Sequence, residues 1–207
     1  MFLAGRSSHS PATIKKALAE LPAQKTRTTT IKLLVSVDQE GGQVQALSGG
    51  SWTAIPSART QGKWNDRTLA GRTTAWVKQL RRAGVNMDLG PVADTVPAGT
   101  ERQNPPIGVF GRQYGNTAPK VAQKITTVTE AMQAGRVVAT VKHFPGLGLV
   151  RHNTDNSTRA VDGTTTVTSS YLEPFAAGIA AGAGAVMMSS ARYPKIDKKQ
   201  PAVFSRR

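Results

Sequence analysis

Lys142 and His143 stand side by side after a run rich in β-branched residues, Val137-Val138-Ala139-Thr140-Val141, and Phe144-Pro145-Gly146 follows at once. Neighbours on an ideal strand face opposite sides, so aiming both at one ligand takes a bend, which the Phe-Pro-Gly turn supplies. Lysine can donate to ligand hydroxyls, and histidine can donate or accept. Burying two such groups without a ligand or partners is costly, so the stretch reads as a binding or catalytic corner. A carboxylate, Asp155, closes the loop that follows.

Other segments carry weaker chemistry. In Asp38-Gln39-Glu40-Gly41-Gly42 a carboxylate precedes paired glycines. That pattern can present Asp38 to vicinal sugar hydroxyls while the backbone stays close to a ligand, or can be a turn whose acidic residues cap the next helix. Gly84 to Asp94 contains Asn86 and Asp88, which must find partners if buried, and Asp88 and Asp94 read as loop organisers. Arg112 stands among glycines in Ile107 to Gly115, where a fixed guanidinium could donate to ligand oxygens or lie solvated.

These residues need elements to hold them. Short apolar runs bounded by turn residues predict strands at Phe2–Ala4, Ile31–Val37, Val85–Leu89, Val137–Val141 and Ala185–Met188. Helical patterns lie between them: Pro11 to Leu21, with Ser10 as N-cap, then Asp66 to Ala83, Thr117 to Ala134 and Ser170 to Ala181. Strict alternation predicts an α/β fold with a parallel sheet. After the first strand, each passes into polar or reactive side chains: Asp38, Asp94, Lys142 with His143, and Ser189 with Ser190. Several strand ends converging on one face predict a TIM-type (β/α)8 barrel and not an open sheet with one switch point. Five strands in 207 residues predict an incomplete barrel of about five βα units, since closure typically takes about 250 residues.

In this order, Asp38-Gln39-Glu40-Gly41-Gly42, Gly90-Pro91-Val92-Ala93-Asp94, Arg112 before Tyr114-Gly115, and Lys142-His143-Phe144-Pro145-Gly146 resemble the family 3 glycoside hydrolases of the bacterial β-N-acetylhexosaminidase type. The similarity runs from Met1 to Arg207, giving one partial N-terminal barrel domain. The resemblance implies action on terminal β-linked N-acetylglucosamine of peptidoglycan-type glycans. It also implies that Asp38, Arg112, Lys142 and His143 bind the terminal sugar.

Retaining glycosidases need a carboxylate nucleophile and an acid/base. The family's acid/base is usually a histidine in an Asp-Ser-His element, where this chain has Asn153-Thr154-Asp155. Three outcomes are open: Asp155 acts as the acid/base, His152 swings into the role, or the loop has lost it. The family's nucleophile follows a Pro-Ala-x-x-Ser segment, which Pro201-Ala202-Val203-Phe204-Ser205 resembles, so the nucleophile is expected to be absent from these residues and the isolated chain to turn over little. Further departures are Gln43 where arginine is common, Gly111 where an acidic residue usually stands, and Ser190 where histidine is frequent.

The net charge of +15 invites a nucleic-acid reading, but the basic residues are scattered pairs without interleaved aromatics, so no nucleic-acid partner is expected. A general positive field would favour anionic surroundings such as cell-wall polymers. Neither a cofactor nor a metal is expected, and without cysteine there is no disulfide or thiolate site. No apolar run is long enough to span a membrane, so a soluble chain is expected, cytoplasmic or exported to the envelope if an N-terminal signal has been lost. An incomplete barrel leaves apolar sheet edges that imply self-association unless covered. The rival from another class is a sugar-binding or structural remnant without chemistry.

Overall fold

The computed structural model describes residues 1–21, 24–25, 30–31 and 33–207. The first helix, α1 (Pro11–Ala19), starts as the sequence predicts: the Ser10 hydroxyl accepts from Thr13 N–H at 3.1 Å and proline occupies the first turn. Two antiparallel pairs follow, β1 (Gln24–Lys25) with β2 (Thr30–Ile31), and, after β3 (Ser36–Val37), the hairpin of β4 (Gln39–Gly41) with β5 (Val44–Gln45). The remaining elements are α2 (Ala58–Gln61), α3 (Asp66–Arg82), β6 (Met87–Asp88), α4 (Ala118–Ala134), β7 (Val138–Phe144), α5 (Glu173–Ala180) and β8 (Ala185–Met188).

The main sheet runs β3-β6-β7-β8 with every pair parallel, and Phe2 bridges Ser36 in parallel on the far side of β3. Each strand position therefore lies beside the one before it in the chain, with a helix in each connection. A doubly wound sheet would reverse its order at a switch point; this one advances in a single direction, as the wall of a barrel does. The fold is an incomplete (β/α) barrel, as the alternation predicts. Val37, Val85, Ala139 and Val141 turn outward onto Leu69, Val77 and Leu80 of α3, Val121, Ile125 and Val128 of α4, and Phe175 of α5.

Strand lengths differ from the sequence reading, for identifiable reasons. The strand expected over Ile31–Val37 is regular only at Ser36–Val37; Ile31 pairs in β2 and Lys32 lies outside the described residues. At Leu33–Val35 the Asn86 side chain replaces the ladder, its Oδ1 accepting from Val35 N–H at 2.7 Å and its Nδ2 donating to the Leu33 carbonyl at 2.9 Å. The strand expected over Val85–Leu89 is likewise regular only at Met87–Asp88. Pro91 has no N–H to give, yet the Gly90 and Pro91 carbonyls still accept from Thr140 and Lys142 N–H at 2.7 and 3.2 Å. Conversely, β7 runs past Val141, so Lys142 and His143 belong to the strand and do not follow it.

Candidate active site

Period-two alternation along β7 sends Ala139 and Val141 to the helices and Lys142 to the concave side. The Lys142 side chain is 2% exposed, and its Nζ donates to Asp38 Oδ1 at 2.7 Å and Glu40 Oε1 at 2.6 Å. Burial alone would lower the lysine's pKa, but the charges of Glu40 and Asp38 outweigh it and raise it. The register between β7 and β8 shifts between Lys142 and Phe144, and His143 also faces the cavity. Phe144 packs edge-on against Phe175 of α5, with centroids 5.4 Å apart, and so anchors the turn.

Asp38 and Glu40 come from the strand end and hairpin that follow β3. The acidic residues cap no helix, which settles that alternative: α2 is capped by the Ser57 hydroxyl. The glycines are required by the turn. Gly41 has φ +102°, and a Cβ there would stand 2.4 Å from the Pro56 carbonyl oxygen. Glu40 is held by both cations of the site, Lys142 and Arg112. The Arg112 guanidinium meets it in two prongs, Nε to Oε2 at 2.8 Å and Nη2 to Oε1 at 2.7 Å, while Nη1 donates to the Pro106 carbonyl at 2.8 Å. Burial pushes the Glu40 carboxyl up, and the Lys142 and Arg112 charges more than offset it, holding it down to about 2.

His143 Nδ1 donates to Asp94 Oδ2 at 2.7 Å, and its Nε2 lies 3.4 Å from Arg112 Nη2. Asp94, fully buried, also accepts from Leu147 N–H through Oδ1 at 2.6 Å. It therefore organises the loop, as the sequence suggests, and in addition orients the histidine.

Asp38, Arg112, Lys142, His143 and Asp155 all line one cavity of about 380 Å³, together with Asn153, Met187 and Ser190. Asp155 is exposed, on the loop after β7, where its N–H donates to Asn153 Oδ1 at 3.0 Å. His152 is exposed and lies outside this lining. Three acidic residues that the sequence did not mark as site residues matter here: Glu40, which ties Lys142 to Arg112, and the two read as loop organisers, Asp94, which also orients His143, and Asp88, whose Oδ1 accepts from Gln39 N–H at 3.0 Å. The signal for Glu40 was present, because residues two apart on a strand share a face with Asp38.

The polar inventory limits what the cations can still do. Lys142 has three N–H donors and spends two on carboxylates; Arg112 has five and spends three on Glu40 and Pro106. Both therefore act first as a frame for the carboxylates, with few donors left for a ligand. Asp38, with its side chain 32% exposed, and His143 Nε2 are the groups turned to the cavity. Among the described residues no cluster of three histidine, cysteine or acidic side chains is suited to a metal ion.

Comparison with known proteins agrees with this geometry. The model of the glycosyl hydrolase family 3 N terminal domain matches residues 1–207. A beta-hexosaminidase of Xylella fastidiosa strain M23 is 36% identical over 197 residues, covering 91% of this chain and 56% of its own length. The crystal structure of β-N-acetylhexosaminidase from Beutenbergia cavernae superposes with a TM-score of 0.94 at 41% identity, over 99% of this chain and 62% of that one. NagZ from Neisseria gonorrhoeae, solved in complex with N-trifluoroacetyl-D-glucosamine, gives 0.80 at 26% identity, over 99% of this chain and 59% of that one. This chain thus spans less than two thirds of the length of each of these relatives. With a barrel wall advancing in one direction, a Lys-His corner at the end of β7 and a family match along its whole length, the chain belongs to glycosyl hydrolase family 3, as an N-terminal domain.

Proposed function

We propose that the cavity binds the terminal β-linked N-acetylglucosamine of cell-wall glycans of the peptidoglycan type, as part of a glycoside hydrolase. The observation that carries this reading is the buried Lys142 joined to Asp38 and Glu40, beside His143, at the floor of a cavity of about 380 Å³. The hexosaminidase activity of the relatives, and the N-trifluoroacetyl-D-glucosamine bound to NagZ, supply the substrate class. In this reading Asp38 accepts from vicinal sugar hydroxyls and His143 Nε2 meets a third polar group of the sugar. Arg112 and Lys142 contribute their remaining donors.

Asp155 is the candidate acid/base. It lies at the mouth of the cavity on the loop after β7, so a sugar entering there would bring a glycosidic oxygen towards it and displace water from it. The covalent route also needs a free carboxylate on the opposite side of the sugar ring. Asp38 is engaged with Lys142, and Glu40 is spent on two cations. The 207-residue chain is therefore expected to bind the sugar and to cleave it slowly or not at all. Among the described residues no helix is long and apolar enough to cross a membrane. β8, the last strand of the sheet, exposes Val186 and, beside the cavity, Met188, which makes a second copy the expected protein partner of the isolated chain.

Calorimetric titration with N-acetylglucosamine tests the binding. The wild type should give saturable binding that Asp38→Ala weakens by about tenfold or more. No binding by the folded wild type would refute the reading. A chromogenic N-acetylglucosaminide tests the chemistry, since efficient hydrolysis by the 207-residue chain would contradict the assignment of the carboxylates. Absence of DNA retention at low salt is the matching control for the positive charge.

A further inference from the structure

Asp88 ends β6 directly beneath the sugar-site segment. It is 7% exposed, and its Oδ1 accepts from the backbone N–H of Gln39, the residue between Asp38 and Glu40. It does not line the large cavity. It lines instead a smaller one of about 30 Å³ on the other side of Glu40, shared with Glu40, Gln61, Thr73 and Tyr114. That is room for about one water molecule. The hydroxyl of Thr73, itself buried, has no hydrogen-bond partner among the described residues. The cavity is thus polar where it meets Asp88 and Thr73, and apolar where α3 and α4 supply Trp76, Val77, Leu80 and Met132.

We propose that Asp88 is a positioning residue for the sugar site: through the Gln39 amide it sets where Asp38 and Glu40 stand relative to Lys142. It rests on the reading of the large cavity as a sugar site. Asp88 acts in its neutral form, accepting through one oxygen from Gln39 and directing its acid hydroxyl into the small cavity. The charges around it fit that form. The hairpin and the strand end before it present Asp38 and Glu40; β7 presents Lys142; the segment before α4 presents Arg112, through Glu40, and the Tyr114 phenol; and α3 and α4 present no ionisable group to the small cavity. Two carboxylates face two cations, and an ionised Asp88 would make a third negative charge competing for Lys142. Burial, with the Glu40 and Asp38 charges, pushes the Asp88 carboxyl up to about 7 against the Gln39 N–H and Lys142. Sugar affinity should therefore fall as pH rises through neutrality.

The experiment combines two measurements on the 207-residue chain. Carboxyl-carbon and amide NMR follow Asp88 and Gln39 against pH. Calorimetry with N-acetylglucosamine compares about pH 6 with about pH 8. If only the neutral form holds the site, roughly one molecule in ten is competent at the higher pH, so wild-type affinity drops about tenfold between the two, whereas the ratio for Asp88→Asn is close to one. Joint titration of the Asp88 carboxyl and the Gln39 amide near neutrality is the expected NMR result, and it decides the matter if Asp88→Asn does not fold. An Asp88→Asn variant whose affinity falls with pH as steeply as the wild type's would overturn the proposal, as would an Asp88 already ionised at about pH 5. Wild-type binding that is tight and flat with pH overturns the positioning role alone. No binding at either pH overturns the sugar reading and the positioning role together.

Discussion

Glu40 and Arg112 lie 72 positions apart in the chain and meet as a two-pronged ion pair, at 2.7 and 2.8 Å, with the Glu40 side chain only 3% exposed. Lys142 closes on the same carboxylate from β7, so one buried anion joins the hairpin after β3, the loop before α4 and the end of β7. A buried charge with two cationic partners is poor evidence for added stability over an apolar core, but removing one member leaves the others uncompensated.

Glu40→Gln should therefore destabilise the protein by about 3 kcal/mol near neutral pH, measured by urea unfolding. The sign with pH follows from the held-down carboxyl. Its contribution is present above the ordinary value of 4.5 and is lost as pH falls towards about 2, so wild type and variant should converge there. A gap that stays constant down to about pH 2 would refute this account of Glu40.

Asp88 has the opposite sign. Because its folded-state value is raised to about 7, its neutral form favours folding fully below the ordinary 3.8, and that contribution is lost as pH rises through 7. Asp88→Asn should thus be more stable than wild type at about pH 8, by a few kcal/mol in order of magnitude, with no such gain at about pH 4. Chemical unfolding at the two pH values reads the difference.

Asp94→Ala removes the acceptor for both His143 Nδ1 and Leu147 N–H. Each donor left without a partner costs about 1–3 kcal/mol, so a loss of about 2 kcal/mol or more in unfolding free energy is expected, with a change in the His143 ring resonances. A variant with the wild-type ring spectrum would show that Asp94 does not orient the histidine.

Gly148 lets the loop after β7 lie on the backbone of Thr95: a Cβ there would stand 1.8 Å from the Thr95 carbonyl oxygen. Gly148→Ala must displace the loop that carries Asp155, and should cost about 2 kcal/mol or more while weakening sugar binding. Gly163 has open space around its Cβ position, so Gly163→Ala should change stability by no more than about 0.5 kcal/mol. Equal effects from the two substitutions would argue against a packed loop.

Val186 is 38% and Met188 41% exposed on β8. Sedimentation of the 207-residue chain should show concentration-dependent association, reduced by Val186→Lys, since a charge on an edge strand opposes pairing with another copy. Monomer at every concentration would exclude that mode.

The corner at Lys142 and His143 was legible because two adjacent polar groups at the end of a β-branched run have few structural uses, and the parallel order was legible because helix and strand alternate. The strand limits at Ser36 and Asp88 were not. There the Asn86 side chain and the carbonyls flanking Pro91 keep bonding to neighbouring strands in a geometry that apolar periodicity does not encode. Glu40 was half legible: its face is given by its spacing from Asp38, but its partners come from distant segments. Asp94 was read as a loop organiser, and only the fold shows that the same carboxylate also reaches the histidine.

The one-way strand order has a consequence for biosynthesis. A ribosome releases Asp38 and Glu40 well before Arg112, and Arg112 before Lys142, so the nascent amino-terminal portion carries its anions without their counter-ions. Until the chain has grown past Lys142, Asp38 lacks its cationic partner and Glu40 has only one of its two, so the complete set of ion pairs in the wall can form only after β7 is made.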